Sequence, residues 1–419
     1  MIIRNRTLAW ATCLAIVAVP TAHATNGYFA HGYGTESKGM AGAGVALPLS
    51  ALSPATNPAS LAFLDSAVDL GVSVFSPDRS YRVSGTPSGM QGTFGLTPGR
   101  VESASKGFVV PTFGMNYRLN DRTGVGLAVY GNGGMSTDYE AATFYQGNAG
   151  VDLSQLFLAP TLARELVPGH ALGLTPIIAY QRFEARGLAA FGQMSCDASC
   201  LTGRDHDNSY GYGARVGYLG RLAPSLALGA SYQSRLAMSE FDHYQGLFAE
   251  SGDFDIPSNW TAGLAFEPNA AWTLMADVQQ IRYSEVEAVG NPLLPNLQST
   301  PLGTDGGAGF GWRDMTVYKL GLQYEASRDW TFRAGYSYGE QPIPDSEVLM
   351  NILAPGVMEQ HATLGLSRLI GPTTTLHLAA THAFDQTVKG QNLLEVPGAQ
   401  EIELEMKQWD FELGLSFGL

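Results

Sequence analysis

The chain has 419 residues and a formal net charge of −14, and only 15% of its residues are charged. Soluble domains carry about 25% charged residues, and an acidic chain does not attract the phosphates of a nucleic acid. After residue 24 no stretch has the roughly 18 unbroken apolar residues of a transmembrane helix. These features exclude a nucleic-acid-binding protein and insertion through apolar helices.

The first 24 residues have the order of a cleavable secretory signal. Arg4 and Arg6 precede an apolar run, which leads to the small-residue cleavage site Ala22-His23-Ala24. The pattern predicts a signal peptide over residues 1–24 and a mature chain that begins at Thr25. Because the two arginines leave with the signal, the formal charge of the mature chain falls to −16.

Residues 25–64 do not alternate as a strand does. They carry many glycines and a proline-broken run, LPLSALSPATNPASLAF. Glycine permits tight turns and close backbone packing. The segment is too apolar to be an exposed tail, so we predict that it packs as a compact unit against the rest of the chain.

From residue 65 to the C-terminus, apolar residues recur at every second position, which is the period of a β-strand. Short turns alternate strictly with long, polar, Gly- and Pro-rich connections, so all turns lie at one end of the sheet and all long loops at the other. Fourteen segments are predicted as strands: 68–74, 107–118, 125–129, 151–163, 171–182, 210–218, 226–234, 260–266, 272–278, 316–324, 330–338, 361–369, 376–384 and 409–419.

The alternation admits either a soluble β-sandwich or an outer-membrane barrel. Aromatic residues bracket several strands, as Trp330 and Tyr338 do, and such residues mark the two lipid boundaries. Since lipid tolerates no unpaired backbone, an even number of antiparallel strands closes on itself. We predict an all-β fold: a 14-stranded transmembrane antiparallel β-barrel over 65–419, with 25–64 as an N-terminal hatch inside the lumen, in the outer membrane of a Gram-negative-type bacterium.

The last strand illustrates the two faces of this barrel. Its apolar row, which includes Trp409, Phe411 and Leu413, is predicted to contact lipid. Asp410 and Glu412 alternate with that row and are therefore predicted to point into the lumen.

Three motifs resemble those of the FadL/TodX family of outer-membrane transporters: NGYFAHGYGTESKGMAGAGVALP in the hatch, Asn57-Pro58-Ala59, and GWRDMTVYKLGLQYEASRDWTFRAGYSYGEQPIP over residues 311–344. The resemblance implies a hatch-plugged monomeric barrel that passes long-chain fatty acids or aromatic hydrocarbons from an extracellular pocket to a lateral opening at a kinked third strand. Such barrels commonly end in an aromatic residue that the barrel-assembly machinery reads. This chain ends in Leu419, so recognition by that machinery is expected to rest on the whole terminal row.

The predicted third strand runs into Gly131-Asn132-Gly133-Gly134. Glycines without side chains favour a bulge or break at this point, and Asn132 can bond the freed backbone. The alternative is that these residues only begin an extracellular loop. The family resemblance favours a kink that forms the lateral gate.

A hydrophobic ligand needs an apolar slot, and a fatty acid also needs a cation for its carboxylate. Tyr28, Phe29 and Met40 of the hatch are the candidates for the slot, although plain packing against the barrel wall explains them equally well. The resemblance implies Arg313 as the basic residue near the head group, with Arg182 as a weaker second match. Charge ladders inside barrels are the alternative explanation for both arginines.

Two further motifs have structural interpretations. Pro58 pushes Asn57 out of the helical region, and an Asn side chain can hold such a turn, so the triplet with Ala59 is predicted to fix the geometry of the hatch. Cys196 and Cys200 lie in a polar stretch of a secreted chain, where a local disulfide is predicted in preference to a two-thiol metal site.

Enzymatic activity is not predicted, because the eight histidines are scattered and none lies in a catalytic motif. Asp205-His206-Asp207 resembles a metal site, but three adjacent residues cannot all reach one ion, so we interpret it as a solvated loop in which calcium could bridge lipopolysaccharide. No cofactor and no metal are predicted. The expected partners are a hydrophobic small molecule, outer-membrane lipids and lipopolysaccharide. The alternative functions are a general diffusion porin and a surface adhesin.

Overall fold

Fourteen antiparallel strands form a closed barrel in the computed structural model, which describes residues 25–419. The predicted signal peptide, residues 1–24, lies outside the described residues. The strands are β1 Ala67–Gly85, β2 Phe108–Asn120, β3 Thr123–Tyr139, β4 Ala149–Val167, β5 His170–Arg186, β6 Asp207–Ala223, β7 Leu226–Gln233, β8 Asn259–Asn269, β9 Trp272–Ile281, β10 Met315–Glu325, β11 Trp330–Gly339, β12 Gln360–Leu369, β13 Thr374–Gln391 and β14 Gln400–Gly418.

Each strand pairs with the next, and the last strand pairs with the first. The closing ladder between β14 and β1 is antiparallel and runs from Gln400↔Gly85 to Gly418↔Ala67. The predicted fold, a 14-stranded barrel with a hatch, is confirmed.

The remaining elements are short and lie in the hatch and the long loops. Four extra strands are Thr25–Asn26, Phe29–Ala30, Gly99–Glu102 and Ala237–Met238. The helical turns are Thr35–Lys38, Ala249–Gly252, Glu287–Gly290, Asn296–Ser299 and Val348–Asn351. The 3₁₀ turns are Ser53–Ala55, Pro58–Ala62, Ala189–Met194, Ala198–Cys200, Asp242–Tyr244, Tyr283–Glu285 and Asp345–Glu347. Among residues 25–419, no helix has the length and apolar character needed to span a membrane.

The two faces of β14 separate as its alternation predicts. Trp409, Phe411 and Leu413 are 45%, 53% and 44% exposed on the outside of the barrel. Asp410 and Glu412 are buried inside it. The apolar row therefore contacts lipid, and the carboxylates enter the lumen.

Several strands extend beyond the lengths predicted from the sequence. The first strand continues past residue 74 to Gly85, the third past 129 to Tyr139, and the last begins at Gln400 instead of Trp409. Above Trp409 the outward row becomes charged, for example at Glu403, which lies 2.9 Å from the Lys389 ammonium. The hydrogen-bonded ladder continues there, but the apolar alternation that reveals a strand in sequence ends at the lipid boundary.

The hatch fills the lumen and packs its backbone closely against the barrel wall. Met40 is fully buried against the wall, and Gly335 of β11 faces its main chain, where a Cβ atom would collide with it. Gly173 of β5 likewise faces the main chain of Pro58, with which a Cβ atom on Gly173 would collide. Glycines in these strands therefore leave room for the plug.

Aromatic side chains from the long loops close the extracellular end. Phe183 at the top of β5 packs within 4.8 to 5.6 Å, between ring centroids, of Phe241, Tyr244 and Phe248. Phe248 in turn lies 4.8 Å from Phe254. The loops thus form an apolar roof above the hatch.

Candidate functional site

The ladder between β2 and β3 stops half-way along the barrel wall. Its last pair is Phe113↔Val129. Beyond it, residues 108–112 of β2 still pair with β1, and residues 130–135 of β3 except Asn132 still pair with β4, but the two stretches do not pair with each other. We call this unpaired stretch between residues 108–112 and 130–135 the seam.

A β-bulge lies on β3 at the level of the seam. Gly131 pairs with Leu156 and Gly133 with Gln155, so Asn132 is an extra residue without a partner on β4. The strand is buried on both sides of the bulge. A bulge bends its strand, so the course of β3 changes at Asn132.

The Asn132 side chain is fully buried and hydrogen-bonded. Its Nδ2 donates to Gln155 Oε1 over 2.9 Å, and its Oδ1 accepts from the Tyr33 hydroxyl of the hatch over 2.8 Å. Gln155 Nε2 then donates to Gln181 Oε1 over 3.2 Å. This chain of amides satisfies the polar groups of the bulge and connects the hatch to three strands.

The N-terminal part of the hatch covers the seam from inside. Phe29 pairs with Gly133, and the Gly134 N–H donates to the Tyr28 carbonyl oxygen over 3.1 Å. A Cβ atom on Gly133 would collide with that carbonyl. The hatch backbone therefore occupies the edge of β3 that β2 leaves free, and only a glycine permits the approach.

Tyr28 and the four rings around it form what we call the aromatic cluster: Tyr28, Phe29, Phe254, Tyr283 and Trp312. The Tyr28 ring centroid lies 5.4 Å from Phe29, 6.2 Å from Phe254, 5.2 Å from Tyr283 and 5.8 Å from Trp312. Tyr28 is 1% exposed. Hatch and loop residues thus meet in one apolar contact directly inside the seam.

Polar atoms without partners lie at this contact. The Tyr28 hydroxyl and both side-chain polar atoms of Asn26 are buried and have no hydrogen-bond partner. By contrast the Tyr283 hydroxyl donates to the Asn26 carbonyl oxygen over 2.5 Å. Buried polar groups are normally paired, so these unpaired groups are available to a ligand.

Two cavities of about 20 Å³ each flank the segment that carries Tyr28. The first cavity is lined by Gly27 and Arg79, and the second by His31, Arg215 and Lys319. Each has room for about one water molecule. The aromatic cluster therefore closes the lumen between them.

The rest of the hatch is held by charges on the barrel wall. Lys38 lies 2.8 Å from Asp410 and 2.7 Å from Glu412, all three side chains being buried. The Asp277 carboxylate accepts the Gly44 N–H over 2.8 Å. The lower hatch is thus pinned, whereas the segment before residue 34 contacts the seam.

Comparison with known proteins agrees with this architecture. Residues 15–409 match the model of the family described as outer membrane protein transport protein (OMPP1/FadL/TodX). The chain belongs to this family. It is therefore an outer-membrane protein of a transport family and not of an enzyme family.

Solved structures with the FadL/TodX fold superimpose on almost the whole chain. A Pseudomonas aeruginosa FadL homologue has a TM-score of 0.71 at 17% identity, with 94% of this chain and 99% of that chain covered. The Pseudomonas putida toluene transporter TodX gives 0.67 at 17% identity, covering 93% and 99%. The Ralstonia pickettii toluene transporter TbuX gives 0.65 at 17% identity, covering 93% and 99%. No curated protein sequence matches the chain.

The two arginines proposed for the head group lie outside the lumen contact. Arg313 is exposed, and its neighbour Trp312 enters the aromatic cluster instead. Arg182 lies on the outward row of β5, 3.6 Å from Asp152 and 3.0 Å from His206. Arg182 points outward because alternate side chains on a strand point to opposite faces, and Arg313 is exposed in the loop before β10. Head-group binding by either arginine stays a prediction.

The hatch candidates divide into two groups. Tyr28 and Phe29 belong to the aromatic cluster, whereas Met40 belongs to a separate apolar group with Leu61 of the hatch and Met275 of β9. Met40 therefore has a packing contact and does not line the same path.

The Asn57-Pro58-Ala59 triplet shapes the hatch backbone. Asn57 is extended, its Oδ1 accepts the Ala59 N–H over 3.0 Å, and its Nδ2 donates to the Val45 carbonyl oxygen over 2.7 Å and to that of Tyr218 over 2.9 Å. These bonds cap the 3₁₀ turn and tie it to the wall.

Cys196 and Cys200 are free thiols in the structure, against the predicted disulfide. Backbone bonds hold them separately: the Cys196 N–H donates to the Leu302 carbonyl oxygen over 2.9 Å, and the Cys200 carbonyl oxygen accepts the Gly246 N–H over 2.9 Å. The loop around them is already fixed without a covalent bond.

The motif Asp205-His206-Asp207 does not converge on one point. His206 Nε2 lies 3.0 Å from Asp152 and its Nδ1 lies 3.5 Å from Glu184, both on neighbouring strands. Within residues 25–419, no group of three or more potential ligands is placed to hold a metal ion.

Sequence reasoning missed Tyr283, Phe254 and Arg79. The first two lie in long loops, where no periodicity reports the direction of a side chain. Arg79 lies on the part of β1 above the lipid boundary, which was assigned to a loop. Trp312 was within the GWRDM motif, and its large apolar ring was the signal for a buried position.

Proposed function

We propose that this protein is an uptake channel for hydrophobic compounds. The compound enters through the apolar extracellular roof, displaces the aromatic cluster, and leaves sideways through the seam into the membrane. This route avoids both the sugar-rich outer leaflet and an aqueous pore. Fatty acids and neutral hydrocarbons are both candidate cargoes, since two of the solved structures are described as toluene transporters and another as a FadL homologue.

The seam is the single observation that carries the proposal. An opening in a barrel wall exposes unpaired backbone, which lipid does not tolerate. Here the free edge of β3 is capped by the hatch at Tyr28 and Phe29, on the lumen side of the wall. Movement of this short segment would open a lateral exit while the pinned lower hatch still blocks the path to the periplasm.

The lumen filling argues against a general diffusion porin. The cavities beside the hatch segment hold about one water molecule each. An adhesin gives no reason for a bulged strand capped from inside. Existence as a monomer, contact with lipopolysaccharide and recognition by the barrel-assembly machinery stay predictions.

Replacing Gly133 and Gly134 together with valine tests the exit. Valine at Gly133 would displace the Tyr28 carbonyl oxygen from the edge of β3, and the new side chains would then occupy the exit themselves. Uptake of a radiolabelled hydrophobic compound into cells should therefore slow, while the heat-modifiable gel shift of a folded barrel persists. Gly107→Val is the control, because a Cβ there meets open space. Undiminished uptake by a folded double variant would refute the lateral exit, and salt conductance like that of an open pore in the wild type would favour the porin.

A further inference from the structure

Arg79 is a buried cation at the upper corner of the seam. It lies on the inward row of β1 and is 5% exposed. Its Nη1 donates to the main-chain carbonyl oxygens of Ser136 on β3 and of Ser105, the latter over 3.3 Å. Its guanidinium carbon lies 5.8 Å from the centre of the Phe108 ring, on the first residue of β2. The side chain therefore contacts both sides of the seam.

No carboxylate neutralises this guanidinium among the described residues. Both of its hydrogen bonds use Nη1 and go to carbonyl oxygens, so the donors on Nη2 and Nε are unused. Burying a charge without a counter-charge is costly. Elsewhere in the same lumen the cation of Lys38 has two carboxylates at 2.7 and 2.8 Å, so the lumen does supply counter-charges to a cation that only holds structure.

Arg215 provides a second comparison. It also lacks a carboxylate, but it uses both terminal nitrogens: Nη1 bonds the hatch carbonyls of Pro54 and Ala55, and Nη2 bonds Gln233. Both terminal nitrogens of Arg215 are therefore already hydrogen-bonded, and one of them holds the hatch. Arg79 keeps the planar two-nitrogen edge that binds a carboxylate in parallel.

The surroundings of Arg79 suit an amphiphile. The first cavity joins the guanidinium to Gly27 of the hatch, to Gly134 of β3 and to the apolar side chain of Met406. A cation beside an apolar wall recognises a molecule with an anionic end and a hydrocarbon tail.

We propose that Arg79 binds the carboxylate of an anionic amphiphile at the lateral exit. The tail would pass the aromatic cluster and enter the seam while the carboxylate pairs with the free edge of the guanidinium. This inference rests on the proposed lateral uptake and assigns to the exit a preference for acids over neutral chains of the same length.

The test compares uptake of hexadecanoic acid and 1-hexadecanol, which match in length and differ in charge. Wild type should import the acid, and Arg79→Gln should import it about ten-fold more slowly or worse, because it loses a charge-assisted hydrogen bond. Uptake of the alcohol should be unchanged. Arg79→Lys keeps the charge but loses the two-nitrogen edge, so it should keep a weaker preference for the acid. Arg333→Gln is the control, because it removes a lumen arginine that bonds Gln323 and Ser367 away from the seam.

The outcomes separate this inference from the function beneath it. Equal loss of both compounds in Arg79→Gln, or unchanged acid uptake, would show that Arg79 only supports the wall and would overturn the inference. If Arg79→Gln fails to assemble, a folded Arg79→Lys variant that no longer distinguishes acid from alcohol overturns it as well. Wild type that imports the alcohol but not the acid refutes the inference and leaves the uptake channel standing. Import of toluene but of neither C16 compound does the same, whereas import of none of the three refutes both.

Discussion

The Gly134 N–H of the barrel wall donates to the Tyr28 carbonyl oxygen of the hatch over 3.1 Å. This bond gives the free edge of β3 a partner that belongs to the plug. Because Tyr28 is also the centre of the aromatic cluster, a compound that displaces its ring also disturbs the bond that covers the seam. On the proposed route, entry and exit would therefore be coupled through Tyr28.

The Tyr28 ring is buried in the aromatic cluster, on the hatch segment that the two small cavities flank, so it should control leakage. Tyr28→Ala removes the ring and is expected to raise the ion conductance of single channels in planar bilayers. Tyr28→Phe keeps the ring and removes a hydroxyl without a partner, so it should leave both conductance and stability nearly unchanged. Tyr212→Ala, at a ring that is 74% exposed on the lipid face, is the control. Equal conductance in Tyr28→Ala and wild type would contradict this assignment.

Lys38 should be essential to stability because its loss leaves two buried carboxylates uncompensated. Lys38→Met is expected to lower the free energy of unfolding by about 3–5 kcal/mol, measured by guanidinium titration of the heat-modifiable form. Adding Asp410→Asn and Glu412→Gln to Lys38→Met should recover most of the lost free energy of unfolding. Lys106→Met removes an exposed ammonium that lies 3.1 Å from Glu102, and this should leave the free energy of unfolding nearly unchanged because solvent screens the pair. A similar cost for the two lysines would argue against the buried cluster.

The outward row of β14 should reject charge within the lipid. Leu413→Arg is expected to lower the free energy of folding into lipid vesicles by about 2–4 kcal/mol, since its side chain has no water to solvate it. Glu401→Arg lies on the same face above the apolar band, where the change should stay within about 0.5 kcal/mol. If both substitutions are tolerated equally, this face does not contact hydrocarbon.

One extracellular loop should respond to pH through Asp253. Burial and the adjacent Asp255 raise the pKa of Asp253 to about 7, although Arg235 lies 3.3 Å away. Below about pH 4 the carboxyl is protonated in both the closed and the open loop. As the pH rises toward 7, only the closed loop retains the proton, so closure loses free energy until the carboxyl ionises.

Limited proteolysis of the loop over residues 235–257 measures this effect. Cleavage should be faster at pH 8 than at pH 5, and Asp253→Asn should remove the difference. Asp242→Asn, at an exposed position on the same loop, should keep it. A wild-type loop that is cleaved equally at both values would disprove the titration.

The barrel was predictable because the lipid selects side chains at every second position. Trp409, Phe411 and Leu413 show this directly, and short turns between such rows gave the strand order. The upper parts of the strands were not predictable by the same rule, since Glu403 and Lys389 pair in water and carry no apolar alternation. Backbone hydrogen bonds between strands form with almost any residue type, so they produce no sequence pattern of their own.

The candidate site was predictable only where residue type restricts the backbone conformation. The glycines around Asn132 indicated an irregular strand, and the structure has a bulge at that residue. Arg182 lies on the outward row of β5, which Ile178 on the same row already indicated. The partners of Tyr28 come from loops whose meeting depends on the whole fold, so no local pattern could identify them.

Lys38 contacts the first and the last strand of the barrel at once. Besides the carboxylates of β14, its ammonium donates to the Ser73 hydroxyl of β1 over 3.2 Å. These groups come together only after the last strand has paired with the first. The contacts of Lys38 therefore cannot all form during biogenesis until the barrel has closed. The earliest part of the mature polypeptide to be synthesised would then be among the last to reach its native position.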